Sequence, residues 1–88
     1  MSRQALHDTL SRLHAELESA EPIDAALRDE LERTLVELRE VVDRAHPDAE
    51  AHPLGERLEA VALRFEQSHP VLAQAIGGVV RALGAMGI

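Results

Sequence analysis

The chain has 88 residues, room for a single domain over residues 1–88 and near the lower size at which a chain folds without staples. It is 45% apolar with one aromatic residue, Phe65, and no Cys, which supplies a core but excludes disulfides and thiolate metal sites. Sixteen acidic residues against nine basic ones give a net charge of −7, the wrong field for a phosphate backbone, so we expect no nucleic-acid partner.

The charge is unevenly spread. Every basic residue is Arg, all acids lie at or before Glu66, and Arg81 is the only charged side chain from Pro70 to Ile88. Protonating all five His would bring the net charge from −7 to −2, so solubility should fall in mild acid. Residues 1–8 hold no apolar run, so we expect no signal peptide and a cytoplasmic location.

The first helix is expected from about Arg3 to Ser19, with Ser2 as its N-cap. Leu6, Leu10, Leu13, Leu17 and Ala20 recur every three or four residues and share one face. Glu21-Pro22 breaks the helix, because Pro disfavours helical geometry in the residue before it. Asp24 then caps a second helix reaching Ala45, with a stripe of Leu27, Leu31, Leu35, Leu38, Val42 and Ala45. Asp24–Arg28, Asp29–Arg33 and Glu40–Arg44 have the spacing of ion pairs on an exposed helix face.

His46-Pro47 ends this helix, and residues 48–51 are expected to be a loop. His52-Pro53 starts the third helix, with Pro at its first position. Leu54, Leu58, Val61, Ala62 and Phe65 form its stripe. His69-Pro70 is the next break, either a reversal or a kink in one long helix. The fourth helix carries Leu72, Ile76, Val79, Leu83 and Met86, widened by Val71, Val80 and Ile88. Its glycines, Gly77, Gly78 and Gly84, put its straightness in question. The expected fold is an all-α antiparallel bundle of four short helices, or of three if the last two are fused as one kinked helix.

Three segments together carry a resemblance: Leu13-His14-Ala15-Glu16-Leu17, Arg64-Phe65-Glu66-Gln67-Ser68-His69-Pro70 and Ala82-Leu83-Gly84-Ala85-Met86-Gly87-Ile88. In this order and at this length the chain resembles a group of short bacterial proteins, domain-of-unknown-function family 4404. The resemblance covers nearly the whole chain, and Phe-Glu-x-x-His-Pro is its most specific part. It implies a bacterial origin and a helical fold. The family has no assigned activity, so the resemblance carries over no catalytic residue.

The residues themselves offer little chemistry. Glu66 and His69 have the Glu-x-x-His spacing of di-iron bundles, but such a site needs two pairs and two further Glu. Pro70 also disfavours helical geometry at His69, which we read as the cap before a Pro-started helix. His46 and His52 flank the central loop and, without Cys, make a weak zinc pair. His7 and His14 lie seven residues apart, about 10 Å along a helix, too far to chelate one ion. Ser2, Ser11, Ser19 and Ser68 fit caps or exposed positions, and the glycines form no phosphate loop. We therefore expect no enzyme, no cofactor and no metal.

The last helix is the most informative feature. Pro70 to Ile88 is 19 residues, about a bilayer's span, but Arg81 lies within it and no basic flank or aromatic belt accompanies it. We read it as a core helix with a second apolar side. Val71, Gly78, Ala82 and Ala85 on that side form the expected interaction surface, for a second copy of the chain or an unknown protein partner. The expected function is thus a non-enzymatic interaction or self-association module. The alternatives are a peripheral membrane protein docking through the last helix and a metal-binding bundle.

Overall fold

The computed structural model describes residues 3–20, 22–43 and 48–85. These form four α-helices: α1 (Arg3–Ser19), α2 (Ala25–Val42), α3 (Asp48–Phe65) and α4 (Pro70–Ala85). They pack in cyclic order, each on its chain neighbours, with α4 closing back onto α1. Gly55, early in α3, lies beside Leu83, late in α4. Glu16 and Ser19, late in α1, lie by Pro70 and Leu72 at the start of α4. Arg57 and Arg64 of α3 meet Glu37 and Glu30 of α2 in reverse order. These pairings run in opposite chain directions, so the fold is an up-and-down antiparallel bundle. None of the described helices is long and apolar enough to cross a membrane.

The leucine stripes make the core. Leu6, Leu10, Leu13 and Leu17 of α1 are wholly buried, as are Leu31 and Leu38 of α2, Leu58 of α3 and Ile76 and Val79 of α4. Phe65 fills the most volume of any fully buried side chain. The expected stripes hold except that Ala20, Leu27, Ala62 and Val80 are only partly buried and Val71 is exposed; Ala45, Met86 and Ile88 lie outside the described residues. The buried set also takes in Val41, Ala51, Ala73 and Ala82. Thr34 is the one buried polar side chain among the described residues; its hydroxyl donates to the Glu30 carbonyl at 2.9 Å, which removes the cost of burying it.

Asp24 caps α2 as its residue type predicts, its carboxylate accepting from the Leu27 N–H at 2.9 Å. Ser2, the expected cap of α1, and His46-Pro47 lie outside the described residues. The expected loop at 48–51 and helix start at Pro53 are overturned, because α3 begins at Asp48 and runs through Pro53. Pro53 sits close to the helix start, where its missing N–H forfeits one bond, to the Ala49 carbonyl. Ala51, wholly buried, and Leu54 pack into the core on either side of it, and that burial extends the helix backwards.

His69-Pro70 is a reversal, not a kink. α3 stops at Phe65, and the His69 N–H bonds the Phe65 carbonyl at 2.7 Å. The His69 carbonyl then accepts from the Ala73 N–H at 3.0 Å, so His69 is the residue from which α4 starts, with Pro70 at the first helical position. α4 continues unbroken through Gly77 and Gly78.

Arg28, expected opposite Asp24, instead bonds Glu32 at 3.1 Å, while the Asp24 carboxylate caps α2, and no pair within 4 Å joins Asp29 to Arg33. Arg44 lies outside the described residues. Between helices, Arg57 meets Glu37 at 2.9 Å and Arg64 approaches Glu30 at 3.7 Å, which laces α3 to α2.

Candidate functional site

α4 is wedged between α1 and α3, and this leaves only a narrow outward arc. Val71, Gln74, Arg81, Gly84 and Ala85 are exposed on it. The expected surface of Val71, Gly78, Ala82 and Ala85 is therefore only partly presented. Val71 is 60% exposed and Ala85 is exposed, but Ala82 is 2% exposed and belongs to the core. Gly78 is half-buried, with Thr9 Cγ2 3.8 Å from where its Cβ would lie. The missed factor is α1, which packs over the side of α4 that carries Ala82 and narrows the free arc on that edge.

The open side of α4 faces α3. Ala62, Leu63, Ala73, Gly77 and Pro70 line a groove segment of about 460 Å³, with Glu66 and Arg81 on its walls. An adjoining segment of about 390 Å³ shares Leu63, Gly77 and Arg81 and adds Glu59 and Val80. A third, of about 180 Å³, carries the seam on past Gly55, Val80 and Gly84. The floor is apolar because Ala73, Ala62 and Val80 are the outer margin of the core. It is recessed because Gly77 has no side chain.

Leu63 stands at the lip, 68% exposed and the most exposed large apolar side chain among the described residues. It lies off the stripe of its helix, so the stripe alone did not select it. An off-stripe leucine beside Ala62 was the signal available. Arg81 leans back toward the N-terminus of its helix, as helical side chains do, and its Nη1 lies 3.3 Å from where a Gly77 Cβ would be. Glu59 and Glu66 share the groove with it, yet neither is within 4 Å of its guanidinium. Three charged groups there are thus free to pair with something else.

The imidazoles are engaged elsewhere. His7 faces Asp43 at 3.4 Å, His14 faces Glu18 at 3.3 Å and His52 faces Glu56 at 3.0 Å. His46 lies outside the described residues, so the His46–His52 pair is not assembled by them. Glu66 and His69 both fall beyond the end of α3, which removes the shared helix face that a di-iron ligand pair needs. Among the described residues no three His, Asp or Glu side chains converge as a metal site.

His69 instead ties two loops together. Its Nε2–H donates to the Pro22 carbonyl at 2.7 Å, and its Nδ1 lies 2.9 Å from the Ser68 hydroxyl. Its ring stands edge-on to Phe65 with centroids 5.6 Å apart. In the neutral tautomer fixed by Pro22, Nδ1 accepts the Ser68 proton, which is the proton arrangement of a general base on a hydroxyl. A neutral carbonyl behind the ring, however, stabilises an imidazolium less than a carboxylate would. The arrangement does the work of a clasp between the α1–α2 loop and the α3–α4 turn.

The profile of a domain of unknown function, DUF4404, matches residues 6–88. The chain belongs to the DUF4404 family. No curated protein matches the chain. No solved structure matches it either. The matched span of this DUF4404 chain contains all of α2, α3 and α4 and most of α1, so the groove lies within the family domain.

Proposed function

We propose that this DUF4404 chain is a protein-interaction module without enzymatic activity, and that it works through the groove between α3 and α4. The observation that carries this reading is the exposed Leu63 beside an apolar floor. A single exposed leucine is ordinary on a soluble protein. Here it is continuous with Ala62, Ala73, Gly77 and Val80, and an apolar recess with a charged rim is the general form of a helix-binding groove. The charged groups at the groove can make ion pairs with a partner, and no nucleophile stands among them.

Two experiments test the two halves of this reading. A photo-crosslinking residue at Leu63 in the native cell should give a discrete protein adduct, while one at Arg33 should not. Equal background at both positions would refute the groove as a binding site. A fluorophosphonate probe should leave Ser68 unlabelled, and stoichiometric labelling of Ser68 would show the Ser68–His69 pair to be a catalytic dyad.

A further inference from the structure

We propose that the occupant of the α3–α4 groove is the same groove of a second copy of this chain, related by a two-fold axis. This rests on the groove being an interaction site, and it names the partner. A two-fold interface needs one patch to carry both members of every complementary pair, since the same surface appears on both sides. This patch does. It has a projecting leucine, Leu63, and a recess floored by Ala73 and Gly77 that can receive one. It has two carboxylates, Glu59 and Glu66, and one guanidinium, Arg81, and none of these is paired with another within 4 Å.

A binding site for an unrelated partner would need only one half of each set. A groove for a basic helix would be walled by acids alone, and Arg81, the sole charge of α4, would repel that helix. Facing its own copy, Arg81 meets the carboxylates of the opposite wall, and the reciprocal pair forms by symmetry. The net charge of −7 on each copy opposes association, but charges more than about 8 Å apart are largely screened at physiological salt. The mixed charge at the groove leaves that local repulsion small.

The α-helical glycines at the seam agree with a close approach of another backbone. Among the described residues no other group lies within 4 Å of where a Gly84 Cβ would be, and at Gly55 the nearest group, Leu83 Cδ1, is at an ordinary 3.8 Å. Neither glycine is required by the packing within one chain. Each lowers helix stability relative to Ala, and Gly84, which is exposed, leaves open space at the end of the seam.

The test uses the purified full chain at tens of micromolar, the range in which a weak dimer is populated. Light scattering should return twice the mass of 9.6 kDa. Leu63→Glu should return the monomer mass with an unchanged helical circular-dichroism spectrum. Arg81→Glu alone, and the double variant Glu59→Arg/Glu66→Arg alone, should each weaken the dimer about tenfold or more, as like charges then oppose one another. Mixing these two variants should restore association, because both reciprocal pairs are then complementary again. A monomeric wild type, a dimer indifferent to Leu63→Glu, or a mixture that fails to recover would each overturn the proposal. A monomeric wild type that still gives a specific Leu63 adduct with another protein would overturn the second copy and leave the interaction module standing. A monomer without an adduct would remove both.

Discussion

Helix α3 makes two seams, and they are finished differently. Against α2 it is laced from outside by Arg57–Glu37 and Arg64–Glu30. Against α4 it leaves an apolar recess, with Leu63 at the lip and Arg81 bonded to neither nearby carboxylate. The buried layer beneath both seams is similarly aliphatic, so the core does not cause the contrast. The outer positions do. α2 offers long acids at its seam, which reach across and cover it. α4 offers Gly77, Val80 and Gly84, which reach nowhere, and Arg81, which folds back along its own helix over Gly77. A seam whose outer residues cross it is complete within one chain; a seam whose outer residues are short leaves apolar floor and charge for a partner.

Substitutions can break or sharpen that contrast, beginning with the shared core. Leu31→Ala or Leu58→Ala should cost roughly 2–5 kcal/mol in chemical denaturation, since both are wholly buried and the bundle would be left with a cavity. A loss under about 1 kcal/mol at both sites would mean that the core is looser than its burial implies.

The clasp comes next. His69→Ala removes the hydrogen bond to Pro22 and the edge contact with Phe65, and should cost about 1–2 kcal/mol. Amide exchange should quicken near Pro22 more than in the middle of α2. Uniform acceleration would mean that the clasp does not act locally.

The open seam should tolerate what the laced seam does not. Gly84→Ala should raise stability by about 0.5–1 kcal/mol in monomer, because the added methyl meets no other group among the described residues and the helix gains propensity. A loss in a demonstrably monomeric sample would reveal an internal contact at Gly84.

The smallest effect belongs to the lacing itself. Arg57 and Glu37 are each 43% exposed, so a double-mutant cycle should find a coupling of only about 0.2–1 kcal/mol, falling with added salt. Glu30 and Arg64, at 3.7 Å, should couple less. A salt-insensitive coupling would mean that the α2–α3 pair is held by packing of the side-chain stems, with the charges incidental.

The sequence by itself determined the helices, their inward faces and the family. A stripe repeating every three or four residues, as in Leu6, Leu10, Leu13 and Leu17, can be buried only on one side of a helix, and all four are. Asp24 and Pro70 start their helices where local chemistry puts them, because a side-chain acceptor and a fixed φ act within a few residues. Only the tertiary structure decided what neighbours impose. Packing of Ala51 and Leu54 carried α3 back through Pro53, against its local preference. The position of α1 buried Ala82 and half-covered Gly78, which periodicity had placed on a free surface. The groove with Leu63, Gly77 and Arg81 joins residues of two helices, so it exists only once α3 and α4 are set side by side. Local chemistry fixes where a helix begins and which side is apolar; how much of its girth stays uncovered depends on the helices beside it.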